Sequence, residues 1–329
     1  MTEPVLSVRG LTTVLYLPGG PVDVVKGVDF DVGAGETVAL VGESGCGKSM
    51  TMLSVMGLHP QPPAEIVSGQ AFLDGVDLFT MDEDRRRAVR GAEVAMVYQD
   101  PMTSLNPLMR VGDQIGEVLR AHGKGRHEAH ERTVEVLGEV GIAQPARAVR
   151  AYPHEFSGGM RQRVVIAMAL ALRPKVLIAD EPTTALDVTI QQQIIALVSA
   201  LQKQMAMAVI WVTHDLGVVA RVARRTMVMY GGHIVEEGPT ARVFSRPEHP
   251  YTAGLLEAIP PVKGTERHAL RQIPGAPPDP SHAPAGCPFV PRCPYAIERC
   301  HIDMPPLTDR GGSQAACWVP PREWTARTA

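Results

Sequence analysis

Long hydrophobic runs are missing from this sequence. The longest apolar stretches, such as Val164 to Leu172, fall far short of the roughly 20 residues a bilayer span needs. The start, Met1-Thr2-Glu3-Pro4, has neither a charged n-region nor an apolar h-region, so no secretory leader is expected. Net charge is only −3 with no basic stripe, so composition gives no footprint for a nucleic-acid partner. Cysteine is scarce, five residues in 329, yet all but Cys46 crowd into 287–317. The chain is therefore expected to stay in the cytoplasm, free to dock on a membrane protein. In that compartment clustered thiols point to a metal before disulfides. No internal repeat is visible. What is present, a 45% apolar and 20% charged composition, describes a soluble globular protein with a large core. It is long for one compact domain and short for three.

The richest stretch runs from Gly42 to Ser49, Gly-Glu-Ser-Gly-Cys-Gly-Lys-Ser, and fits G-x-x-x-x-G-K-[S/T]. Before it, Thr37 to Val41 is apolar and bounded by Gly35, as a buried strand should be. Gly45 and Gly47 permit a tight turn whose backbone N–H groups, from Gly42 through Glu43, Ser44, Gly45, Cys46 and Gly47 to Met50, face a phosphate. The N-terminus of the following helix adds to that cradle. Lys48 can reach the β- and γ-phosphates, and the Ser49 hydroxyl can bind Mg²⁺.

Residues 5–9 and 22–32 are expected as strands of a small antiparallel sheet, with Pro18, Gly19, Gly20 and Pro21 in the turn. A helix at about 48–57 and strands at 69–74 and 94–98 follow, the last ending on Gln99. From 111 to 150 apolar residues fall at helix spacing: Val111, Ile115, Val118 and Leu119, then Val134, Leu137 and Val140. Ser157 is placed to cap a helix over 158–172. The run from Lys175 to Asp180 is expected as a buried strand, followed by a helix near 189–204 and a strand over 209–213 with His214 just past its end. Residues 226–230 and 233–237 form a hairpin around Gly231-Gly232. After about residue 258 Pro260, Pro261, Pro274, Pro277, Pro278, Pro280, Pro284 and Pro288 predict a stiff, irregular tail.

Asp180 and Glu181 end an apolar strand. Phosphoryl transfer needs a carboxylate near Mg²⁺, which suits Asp180. The adjacent acid can orient or deprotonate the attacking water, which suits Glu181.

Phe156-Ser157-Gly158-Gly159-Met160-Arg161-Gln162-Arg163 resembles the signature motif of ABC-transporter ATPases, with Met160 where glutamine is commonest. The order P-loop, Gln99, signature, Asp180-Glu181, Ala185-Leu186-Asp187, His214 matches that superfamily over roughly residues 5–245. The implied fold is an α/β P-loop NTPase core with an antiparallel β subdomain and a helical insert at about 100–172. The implied domains are an ATPase at 1–247 and an extension at 248–329. The resemblance implies that Ser157, Gly158 and Gly159 meet the γ-phosphate held by a second subunit, so that ATP glues two such domains together. It implies Gln99 as the Q-loop residue touching Mg²⁺ and water, His214 as the switch histidine, and Asp187 as an acid at the dimer seam. The adenine-stacking position falls on Leu15 by spacing, which leaves neighbouring Tyr16 as the aromatic candidate.

Two stretches narrow the family. Residues 98–107 resemble the Q-loop of oligopeptide/dipeptide importer ATPases, and His249-Pro250-Tyr251-Thr252 resembles the start of their C-terminal extension. The spacing Cys287-x5-Cys293-x6-Cys300-x16-Cys317 is not that of a zinc ribbon. A similar Cys-Pro-Phe-x-Pro-Arg-Cys-Pro segment in that subfamily accompanies a [4Fe–4S] cluster, so iron–sulfur is expected ahead of zinc. The resemblance implies ATP and Mg²⁺ as ligands, a second and related ATPase chain, two permease subunits and an extracytoplasmic solute-binding protein. It places the chain peripherally on the cytoplasmic face of the membrane. Peptides are the expected solute, with nickel chelates or glutathione as alternatives. A soluble nucleic-acid- or ribosome-linked ABC ATPase lacks its usual second cassette here, and a metal-sensing module with a vestigial ATPase is opposed by intact Lys48, Asp180, Glu181 and His214.

Overall fold

The computed structural model describes residues 3–184, 186–259, 272–282 and 284–324. Ala185, Pro260 and Pro261 lie outside the described residues. The chain forms two compact units interleaved in sequence. One comprises Met1–Leu6, Val32–Thr37 and Phe72–Val212; the other comprises Ser7–Asp31, Val38–Ala71 and Thr213–Ala329.

The first unit is built on a parallel sheet in which Val176–Asp180 lies between Val94–Val97 and Ala208–Thr213. All five residues of Val176–Asp180 are buried, so the strand reads as a continuous apolar run ending in one acid. The helical stretch resolves into Val111–Ala121, Arg126–Glu139, Pro145–Ala148 and Gly158–Leu170. Val111, Ile115, Leu119, Val136, Leu137 and Val140 form its apolar seam and are all essentially inaccessible. Asp187 caps Val188–Met205, its carboxylate accepting from the Ile190 N–H at 2.9 Å. The helix Glu83–Val89 was not expected, because it carries no apolar stripe; Asp82 starts it by accepting from the Arg85 N–H.

In the second unit the antiparallel sheet is larger than its sequence pattern indicates. Leu6–Leu17 lies between Gly20–Val32 and Ala64–Leu73, so the expected strands at 5–9 and 69–74 are each only part of an element. Glycine hides the rest. Gly10 interrupts the first run, and a Cβ on Gly69 would stand 2.6 Å from the Leu11 Cα, so two strand backbones meet where only glycine fits. Thr37–Val41 runs parallel to Arg225–Tyr230, with Leu40 opposite Met227. The hairpin partner His233–Pro239 then pairs with Gln314–Ala315, and that with Thr308–Asp309. The tail thus extends the sheet by two short strands. Its Cys287, Phe289 and Cys300 join the core made by Val41, Val228, Tyr230, Val235 and Tyr251.

Candidate functional site

In the second unit, the strand Thr37–Val41 leads through the glycine loop into the helix Lys48–Val55. Lys48 is 5% exposed, and its Nζ donates to the carbonyls of Gly42 at 2.8 Å and Glu43 at 2.9 Å. The loop is thereby closed on its own lysine. Gly47 has φ +106, and a Cβ there would lie 2.5 Å from the Val24 carbonyl oxygen. Cys46 is buried beneath the loop, and burial pushes its thiol pKa up. Ser44, Gly45 and Ser49 remain exposed, and Met50 is half-buried. Glu43 to Cys46 line a cavity of about 110 Å³ with Val24, Tyr230, Pro277 and Pro278. His214 is exposed between Thr213 and Asp215, whose carboxylate caps Leu216–Val222 by accepting from Gly217 and Val218. Tyr16 is 52% exposed near the end of its strand, and the Glu65 carboxylate raises its pKa.

In the first unit, parallel register does the positioning. Val97 is opposite Ala179, so two further residues along each strand bring Gln99 and Glu181 side by side. Gln99 Nε2 donates to Glu181 Oε2 at 3.0 Å, and Thr184 Oγ1 donates to the same oxygen at 2.9 Å. Asp180 is 6% exposed at the strand end. Glu181 has φ +47, a left-handed conformation that costs a non-glycine residue about 1 kcal/mol or more. Its backbone N–H is held by the Val212 carbonyl at 2.9 Å. Ser157 caps Gly158–Leu170 by accepting from the Met160 N–H. Ser157 and Gly158 stay exposed, while a Cβ on Gly159 would stand 2.6 Å from Ile190. Exposed N–H groups at a capped helix start favour an anion. Asp187 is exposed at the start of its own helix.

Cys287, Cys293, Cys300 and Cys317 line a single cavity of about 20 Å³, together with His249, Phe289 and Trp318. Burial raises the thiol pKa values to about 11 at Cys287 and Cys293 and about 12 at Cys317. In kind and number four thiols suit a soft metal, although their raised pKa values favour the protonated form, which does not ligate. Their spacing does not suit one: among the described residues no group of three or more His, Cys, Asp or Glu side chains is set to hold a metal ion. The expected [4Fe–4S] cluster finds no support in this geometry. Such a cavity holds about one water-sized sphere.

Sequence reasoning missed the residues behind the phosphate loop. Arg292 donates from Nη1 to Glu43 Oε2 at 2.6 Å and from Nη2 to Glu43 Oε1 at 3.0 Å. Tyr251 Oη accepts from the Glu43 N–H at 2.8 Å. These partners lie 249 and 208 positions apart, and no local pattern links them.

Comparison with known proteins agrees with these features. Residues 25–184 match the ABC transporter family model, and residues 235–300 match the C-terminal region of oligopeptide/dipeptide transporters. A putative peptide import ATP-binding protein of Brucella ovis is 50% identical over 96% of this chain and 98% of its own. The dipeptide transport ATP-binding protein DppD of Bacillus subtilis is 48% identical over 96% of this chain and 95% of its own. Among solved structures, a dimeric ATP-binding cassette in a post-hydrolysis state with ADP and phosphate is 26% identical, with a TM-score of 0.63. It covers 71% of this chain and 98% of that one.

Proposed function

We propose a role for each site residue from one premise: the chain belongs to the ABC-transporter ATP-binding subunits of the oligopeptide/dipeptide type. It is an ATPase that powers uptake of peptides. The division into an ATPase at 1–247 and an extension at 248–329 is part of this reading. The N–H groups of Gly42 to Met50 and the Lys48 ammonium bind the phosphates. Ser49, Asp180 and Gln99 offer the hard oxygen donors that Mg²⁺ takes. When bound, Mg²⁺ supplies positive charge against the β- and γ-phosphates. Glu181 takes a proton from the attacking water, Gln99 orients Glu181, and His214 positions the water. Ser157, Gly158 and Gly159 receive the γ-phosphate held by a second subunit, with Asp187 at the seam. Tyr16 is the candidate for contact with adenine.

No helix among the described residues is long and apolar enough to cross a membrane. The chain acts peripherally at the cytoplasmic face. There it pairs with a related ATPase chain and two permease subunits, which are served by an extracytoplasmic solute-binding protein. Dipeptides and oligopeptides are the proposed cargo, with nickel chelates or glutathione as the second reading; no nucleic acid takes part. A [4Fe–4S] cluster or zinc at the four thiols belongs to this proposal on the number and kind of the donors alone, not on the geometry they adopt here. An absorption band near about 400 nm after anaerobic purification identifies iron–sulfur by its sulfur-to-iron charge transfer, and a colourless protein that releases zinc identifies the alternative.

The observation that carries the catalytic assignment is the Gln99–Glu181 hydrogen bond on a strained glutamate. Glu181→Gln tests it. ATP binding should persist while turnover falls by about a hundredfold or more. Hydrolysis at the unmodified rate would remove Glu181 from its role.

A further inference from the structure

A carboxylate on a phosphate loop is an electrostatic liability. Glu43 is the second residue of the loop, next to the N–H groups proposed to bind a polyanion. Left alone, its charge would oppose that ligand. It is not left alone. The Arg292 side chain is 4% exposed and meets Glu43 as a two-pronged fork. Tyr230 fixes the fork through its hydroxyl at 3.2 Å and its ring beneath the guanidinium, and the Pro274 carbonyl accepts from Nε at 3.0 Å. The Glu43 backbone is held separately by Tyr251. Arg292 comes from the short turn Val290–Arg292, between Cys287 and Cys293. The phosphate loop and the cysteine segment are therefore joined by one ion pair, buried on its arginine side and partly exposed at Glu43.

We propose that Arg292 is a positioning residue for nucleotide binding: it cancels the charge of Glu43 and fixes the first turn of the phosphate loop for an anionic ligand. The extension is thus a second layer of the ATP site. Pro277 and Pro278, which line the cavity against Glu43 to Cys46, belong to the same layer. The inference rests on the reading of the loop as an ATP site. ATP binding by the unmodified full-length chain tests that reading, and the variants below test the inference separately.

The experiment is calorimetric titration of full-length protein with ATP. Arg292→Met keeps the length and apolar stem but uncovers the Glu43 charge. It should raise the ATP Kd roughly tenfold or more, and rising salt should shrink the loss by screening. Turnover at saturating ATP should change by less than about threefold, since Arg292 touches no reacting atom. Adding Glu43→Gln to Arg292→Met should bring the Kd back to within about threefold of the unmodified chain. A purely structural role predicts no such rescue. An unchanged Kd in Arg292→Met, or a double variant no better than the single one, overturns the proposal. If Arg292→Met does not fold, the neutral pair Glu43→Gln/Arg292→Gln carries the test. Affinity within about threefold of the unmodified chain supports charge cancellation, and a loss beyond about tenfold overturns it.

Discussion

The phosphate loop and the cysteine-bearing tail are two irregular stretches of one unit, held in opposite ways. The loop closes largely on its own backbone, with Tyr251 and Arg292 bracing only Glu43 from outside. Lys48 closes on carbonyls five and six residues away, and Gly47 sits where any side chain meets the Val24 carbonyl. The tail is held by distant side chains. The Phe289 ring packs edge-on against Tyr230 at 5.2 Å and tilted against Tyr251 at 5.5 Å, and Arg292 reaches Glu43. Local geometry needs a particular residue at a particular place, so it leaves a motif. Long-range anchoring needs only a partner of suitable size or charge, so it leaves little trace.

The sharpest way to break this contrast is Gly47→Ala. Its methyl would stand 2.5 Å from a backbone carbonyl and 2.9 Å from the Met229 Cε, at a φ of +106. The carbonyl is part of the strand Gly20–Val32 and has little room to yield. ATP affinity should fall roughly a hundredfold, equivalent to about 2.7 kcal/mol, within the range of backbone strain at a special φ. Equilibrium binding checks this, with circular dichroism to confirm the fold. Near-normal affinity would mean the loop is as adaptable as the tail, and the contrast would fail.

Legibility followed the same divide. The strand–loop–helix, the buried strand ending in Asp180, the Ser157 cap and the hairpin at Gly231-Gly232 could all be read because each is coded within about ten residues. Gln99 and Glu181 were each named from the sequence, but their hydrogen bond and its cause, parallel register between two strands, are visible only in the fold. The length of Leu6–Leu17 was hidden by Gly10, whose φ of +57 is open to a residue without a Cβ and whose N–H is taken by Asp29. Gathering of the four thiols was foreseen, but a geometry able to hold metal was not found. Glu43 and Arg292 each lie in a quoted motif, but nothing local signalled that the two would pair.

A smaller effect sharpens the contrast where the extension leaves the sheet. Glu236 is fully buried and accepts from the N–H groups of Glu248 at 2.8 Å and His249 at 3.0 Å, yet burial raises its pKa to about 7. Fully buried His249 accepts the Tyr251 N–H on Nδ1 at 3.1 Å, and burial lowers its pKa to about 3. The signs oppose each other. Glu236 keeps its proton in the folded state longer than in the unfolded chain, so its contribution is lost as pH rises from about 4.5 to about 7. His249 stays neutral when folded, so its contribution is lost as pH falls from about 6.5 to about 3. Between about 4.5 and 6.5 the two slopes offset each other. His249→Asn removes one titration while keeping a side-chain oxygen for the start of the helix Pro250–Glu257. Between pH 6.5 and pH 5 the variant should gain about 2 kcal/mol of unfolding free energy relative to the unmodified chain. Glu236→Gln should change with pH in the opposite sense. Urea unfolding at three pH values reads both. Parallel stability curves for His249→Asn and the unmodified chain would show that this junction does not respond to acid, and that the tail's anchors are as indifferent to pH as the backbone of the loop.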